Sequence, residues 1–255
     1  MKTVTGKLGV LLSKDAADMF KNPTMILCIA MPVGFALFYR FFMGDLADGV
    51  GAPSGEAGVP EVAQALQQVI LSMSLCMSIG MAASTSLVYG IAEEKEKHTL
   101  RTLMLANVIA ETVVLAKGLA ALGFTVVTEA LCFAVSGAPW SLFGWYMLLG
   151  VVGALPVILL SLVVGLASRD QMTAGLYSVS VLLLALAPVF GGFSPDIRAV
   201  VRFAPTGGMD ELLRLVIEGG LGTGEALVPC LVIAGWLVAS AVAFKLLYRR
   251  LLQDN

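Results

Sequence analysis

The sequence predicts an all-α polytopic membrane protein with six transmembrane helices, and three observations lead there. Hydrophobic residues make up 58% of the chain and charged residues only 13%, about half the charge of a soluble domain. The mean hydropathy is +0.90. Six apolar segments each reach the roughly twenty residues needed to cross a hydrocarbon core. No internal repeat is evident, so residues 1–255 read as a single transmembrane domain.

Residues 1–22 predict an amphipathic helix lying in the membrane interface. Val4, Leu8, Leu11, Leu12, Met19 and Phe20 form its apolar stripe. Lys7, Lys14 and Lys21 repeat every seven residues along one flank, placed for headgroups and cytoplasm. The segment does not read as a secretory signal, because the apolar run after it starts late and has a spanning length. Asn22-Pro23 is an N-cap and first-turn pair for the next helix.

The spans fall at 24–43, 60–91, 108–136, 141–167, 172–193 and 223–248, with a Gly-, Ala- and Pro-rich loop at 44–58. Pro156 and Pro188 predict kinks in the fourth and fifth spans. The connection 194–222 is too long for a turn. Ser194-Pro195-Asp196 opens one short helix, residues 206–209 open another, and Gly219-Gly220 closes it. Leu212, Leu213, Val216 and Ile217 give the second an apolar face to lay back on the bundle. Asp210 and Arg214 stand at i, i+4 on its other side and are expected to pair.

Orientation rests on the basic residues. With the N-terminus inside, twelve lie on cytoplasmic segments (Lys2, Lys7, Lys14, Lys21, Lys95, Lys97, Arg101, Lys117, Arg169, Lys245, Arg249, Arg250). Four lie outside (Arg40, Arg198, Arg202, Arg214). The asymmetry predicts a multi-pass protein with both termini cytoplasmic, and the membrane expected for it is a bacterial cytoplasmic one.

Between the second and third spans lies a charged island, 92–107 (AEEKEKHTLRTLMLAN). Glu93 precedes Lys97 by four residues and Glu94 precedes His98 by four, while Leu100, Leu103 and Met104 recur at helical spacing. A helix of roughly 20 Å is too short to cross a bilayer, so it is expected along the surface, charges outward. Glu93, Glu94 and Glu96, then Thr99-Leu100, Leu103 and Leu105-Ala106, resemble the E-E-x-E-x-G-T-L-x-x-L-x-x-A signature of type-2 ATP-binding-cassette (ABC) transporter permeases. His98 stands where that signature usually has glycine. Lys117 matches the lysine found further on, at the inner end of the next span.

The resemblance implies the membrane subunit of an ABC exporter. It would pair with a second permease subunit, identical or related, and dock two ABC ATPase subunits through a coupling helix around 93–106. ATP and Mg would bind on those ATPases. This chain carries no G-x-x-x-x-G-K-[ST] loop, so no cofactor is assigned to it and it is not read as an enzyme in itself. The ATPase-coupling set is Glu93, Glu94, Glu96, Lys97, Thr99, Leu100 and Leu103.

Other residues invite chemistry less directly. Ser72, Cys76, Gly80 and Ser84 make a small-residue seam on the second span, suited first to close helix packing. Met73, Met77 and Met81 run beside it; methionine adapts its shape, which suits packing and also a path for apolar cargo. Glu129 stands about 10 Å inside the outer end of the third span. A carboxyl at that depth is costly, so it should face the bundle. It serves either as a proton or cation contact on a transport path, or as a carboxyl hydrogen-bonded to a neighbouring helix or snorkelling outward.

Cys28, Cys76, Cys132 and Cys230 sit in apolar runs without a C-x-x-C pair and read as small hydrophobes. His98 is the sole histidine and builds no metal site. A net charge of −2 without a basic tract offers no nucleic-acid partner; membrane lipid is the expected surroundings. The alternative class is an ATP-independent secondary transporter or channel using Glu129. A membrane-embedded enzyme would want a catalytic cluster of Asp, His or Ser-Lys that this sequence lacks.

Overall fold

The computed structural model describes residues 9, 12–15, 17, 21–49, 59–97, 110–222 and 224–253, with side chains for all of these except 43–49, 59–63, 110–111 and 248–253. Every regular element among them is a helix. Helix α1 spans Pro23–Gly49. Helix α2 (Val59–Ser78) runs through a π-helical stretch, Ile79–Thr85, into α3 (Ser86–Glu96). Then come α4 (Ala110–Ser136), α5 (Phe143–Ala167), α6 (Gln171–Leu186), α7 (Pro195–Val201), α8 (Gly207–Glu218) and α9 (Leu227–Gln253). Short 3-10 turns, Trp140–Leu142 and Ala187–Gly192, lie just before α5 and just after α6.

Six of these helical runs are long and apolar enough to cross a membrane: Pro23–Phe42, Gln64–Glu96, Thr112–Ser136, Trp140–Ala167, Gln171–Gly192 and Leu227–Leu247. Their placement matches the six expected segments to within a few residues. Helices suit this setting because each satisfies its own backbone groups where no water can.

The second span is the axis of the bundle. Of its apolar window 72% is buried, against 17% for the last span. Leu71, Leu75, Ile79, Ala83, Leu87 and Ile91 line its buried side and pack into one core with Phe133, Tyr146 and Val157. No sequence signal marks the π stretch in its middle. There Thr85 donates its hydroxyl to the Gly80 carbonyl five residues back, at 3.0 Å.

Local signals act as their chemistry dictates. The Asn22 carboxamide accepts from the Thr24 amide at 3.0 Å and starts α1. Ser194 caps α7, with Pro195 in its first turn. Gly219 ends α8 at φ 74°, and its amide and that of Gly220 reach Val216 and Leu215. That is the 6→1, 5→2 Schellman pattern, which favours glycine at the left-handed position. A cap at Asp170 is new to the structure. It and Thr173 form a reciprocal capping box on α6, and the Thr173 amide and hydroxyl hold the Asp170 carboxyl below its usual range.

Several expectations are corrected. Residues 92–96 do not open a separate surface helix; they complete α3, which stops at Lys97, and 98–107 lie outside the described residues. Lys14, itself exposed, has an ion-pair partner not foreseen from the sequence, because its ammonium meets Glu94. Pro156 lies within α5, and Pro188 lies in the 3-10 turn that follows α6. Asp210 does not pair with Arg214. It accepts a hydrogen bond from Ser72 on α2, and Arg214 instead pairs with Glu211 and Glu218 at 2.9 and 2.8 Å.

As expected, α8 lies back on the bundle, with Met209 and Leu213 fully buried. Its neighbours are α5, α9 and α2.

Candidate functional site

At the end of the bundle where α3 stops, acidic and basic side chains from the N-terminal segment, α3 and α4 converge. The Glu94 Oε1 atom lies 3.0 Å from Lys14 Nζ and 3.3 Å from Lys117 Nζ. Lys117 also reaches Asp15 at 3.7 Å. Glu93 accepts from the Asn22 carboxamide at 3.1 Å and from Lys97 at 2.5 Å. Glu96 accepts from the Gln171 amide at 3.3 Å. Lys95 donates to the Leu166 and Ser168 carbonyls, both at 2.7 Å, which places a cation on the C-terminal carbonyls of α5.

Each of the three glutamates of the coupling set has a partner within the chain; Glu94 is little exposed, whereas Glu96 stays exposed. Glu94 joins the N-terminal segment to the third span, and Glu96 joins the second span to the start of the fifth. A cavity of about 540 Å³ opens beside them, lined by Lys14, Asp15, Lys21, Glu93, Glu94, Lys97 and Lys117. Thr99, Leu100 and Leu103 lie outside the described residues.

The small-residue seam proves to be a packing surface with several partners. Ser72 donates to Asp210, Ser84 accepts from Ser161 at 2.8 Å, and Gly80 lets Leu182 of the fifth span come close. Of the methionine stripe, Met77 is buried, Met73 is half-buried, and Met81 packs with Met25, Cys28 and Phe124. These contacts favour packing over a cargo path. Neither the 540 Å³ cavity nor a second, apolar one of about 930 Å³ is lined by a stripe residue.

Glu129 faces the bundle, as its cost in lipid requires, and is fully buried. Neither carboxyl oxygen has a hydrogen-bond partner among the described residues. That burial speaks against snorkelling outward, and the neighbouring-helix hydrogen bond is not seen among the described residues. Gly150 on α5 makes the space: a Cβ there would lie 2.5 Å from Glu129 Oε1. Nearby, Tyr146 is buried with its hydroxyl 2.9 Å from that of Ser74. Gly150 and Tyr146 carry no marker in the sequence; only the fold brings them to Glu129.

At the other end of the bundle, two neighbouring carboxyls of α8 respond oppositely to pH. Burial holds Asp210 above the ordinary aspartate range, the Ser72 hydrogen bond opposing it. Burial also pushes Glu211 up, but Arg198 and Arg214 together hold it below the glutamate range. For Asp210 the folded state keeps a proton that the unfolded state releases, so acidification through that window favours the fold. For Glu211 the stabilisation is present above the unfolded value and is lost as pH falls through the depressed one. Melting measured from about pH 8 to pH 4 is expected to show Asp210→Asn as neutral or stabilising near neutrality, with a smaller gain on acidification. Glu211→Gln should melt lower near neutrality and converge on wild type in acid.

Among the described residues no group of three or more His, Cys, Asp or Glu side chains is placed to hold a metal ion. Taken together, the helices define a multi-pass membrane protein. No protein-family model and no curated protein matches the sequence.

Proposed function

We propose that this chain is the membrane subunit of an ABC exporter. It would move an amphipathic or apolar substrate, such as a drug, peptide or lipid-like molecule, out across a bacterial cytoplasmic membrane. ATP hydrolysed with Mg on separate ATPase subunits would drive it, and a second permease subunit would complete the path. One observation carries the reading. The glutamate and lysine that match the permease signature, Glu94 and Lys117, stand 3.3 Å apart at one end of the bundle. The rest of that signature, 98–106, lies between them in sequence. In this reading the cluster is a rigid base that transmits force from the ATPase into the second, third and fifth spans.

The test is purification of the tagged chain from its native membrane. An ABC ATPase should accompany it, and ATP hydrolysis should rise with exported substrate. Glu93→Gln retains an acceptor for Asn22 and removes one charge, so it should leave melting near wild type while weakening ATPase recovery. Absence of any ATPase from the wild-type complex would refute the assignment.

Orientation is tested separately. With the four native cysteines replaced, Glu96→Cys should resist an impermeant maleimide on intact cells and Gly51→Cys should react. The reverse pattern would invert the topology.

Glu129 favours a second reading, an ATP-independent transporter or channel, because an unpartnered intramembrane carboxyl suits a proton or cation contact. Substrate movement by the chain alone in ATP-free vesicles would select it.

A further inference from the structure

The 930 Å³ cavity lies between α4, α5 and α9, and neither the charged cluster nor Glu129 contributes to its lining. Its walls include Gly118, Leu119 and Leu122 of α4, Ile158 of α5 and Leu237 of α9; its one charged lining residue is Lys245. The α4 wall extends over nine residues, from 114 to 122, and the α9 wall over another nine, from 237 to 245. Each covers about 12 Å of helix rise. One leaflet of hydrocarbon is about 15 Å deep, half of the roughly 30 Å core. The groove therefore has the depth of a single acyl chain.

Chemistry fixes which end is which. Lys245 is exposed and stands at the mouth, at the end of the last span, while Leu122 and Leu237 lie deep. Arg249 stands one turn further along the same helix. An ammonium at the rim of a hydrocarbon slot recognises an anion at headgroup level.

We propose that this groove binds one acyl chain of an anionic phospholipid, with its headgroup phosphate on Lys245. A second copy of the chain fits less well. A two-fold contact centred here would bring each Lys245 toward its mate, and such an interface must be self-complementary. The inference stands independently of the transport reading.

Native mass spectrometry of the purified full-length chain, titrated with phosphatidylglycerol or phosphatidylcholine of matched acyl chains, tests it. Wild type should retain one phosphatidylglycerol, with about fivefold preference over phosphatidylcholine, as one basic residue at an anionic surface supplies. Lys245→Gln should abolish the preference. Leu119→Trp fills the groove from a position already partly exposed, so it should keep its melting temperature and lose retention of both lipids.

Equal wild-type retention of the two lipids would overturn the proposal. So would an undiminished preference in Lys245→Gln, or full retention by a well-folded Leu119→Trp. Should Leu119→Trp unfold, Gly118→Leu fills the same slot from its floor and is read by the same criteria. Cross-linking of Leu119→Cys between two chains, in a background without the native cysteines, would make the groove a protein interface and also overturn it.

Discussion

Replacing Glu94 by lysine is expected to remove most of the folded protein. The carboxylate sits between Lys14 and Lys117 at 3.0 and 3.3 Å, with its side chain 12% exposed and that of Lys117 10%. Reversal puts three ammonium groups where one carboxylate held two, with residue 94 and Lys117 little exposed although Lys14 is open to water. Removing one partner of a buried pair costs about 3–5 kcal/mol, a large share of a total stability of about 5–15 kcal/mol. Fluorescence-detected size exclusion and melting in detergent report the loss. Glu94→Gln should fall between wild type and the reversal, because it keeps an acceptor but no charge. Glu94→Lys combined with Lys117→Glu restores an opposite pair and should recover much of the folded fraction. A wild-type melting temperature for the single reversal would show that the cluster carries no fold stability. An island projecting into water would predict that near-neutral result, since exposed pairs contribute only about 0–1 kcal/mol. The burial of Glu94 is what separates the two outcomes.

The spans were legible because lipid demands a long apolar run, a signal carried by consecutive residues. Asn22, Ser194 and the Gly219-Gly220 pair were legible for a similar reason: each acts on amides or carbonyls within a few residues of itself. The features that remained hidden depend on distant partners. Lys14 meets Glu94 across eighty residues, and no local pattern announces that. Asp210 had a cation one helical turn away in sequence, yet tertiary packing aimed it at Ser72, 138 residues distant. An i, i+4 exposed pair is worth too little to compete with the placement of a whole helix. The π stretch leaves no periodicity of its own, because one extra residue per turn only shifts the register of the helix beyond it. Of the candidate sites, the position of Glu129 inside a span could be read directly. Its want of a partner, and the glycine that makes room for it, could not.

That pair gives the second large expected effect. Glu129→Leu should raise the melting temperature, and Gly150→Ala should lower it. The carboxyl is fully buried and no described residue hydrogen-bonds it. A buried polar group without a partner costs about 1–3 kcal/mol on mutational scales. Leucine is of similar reach and lacks that cost. At position 150 a new methyl would stand 2.5 Å from Glu129 Oε1, far inside the roughly 3.5–4.0 Å of a comfortable contact. With Tyr146 and Cys132 also fully buried, the carboxyl has little room to move aside, and overpacking of this kind costs about 1–3 kcal/mol. Shortening residue 129 removes the obstacle. Gly150→Ala should therefore be nearly neutral in a Glu129→Ala background, a coupling of about 0.5–3 kcal/mol in a double-mutant cycle. Independent effects of the two substitutions would mean that they do not touch. Stability and transport then separate the roles of the carboxyl. If Glu129→Leu melts higher and transports as well as wild type, the carboxyl is a tolerated burden. If it melts higher while turnover falls at unchanged protein level, the protein retains an unfavourable buried acid because transport uses it. A lower melting temperature for Glu129→Leu would show instead that the carboxyl is satisfied in the folded chain and serves the packing of the third span against the fourth.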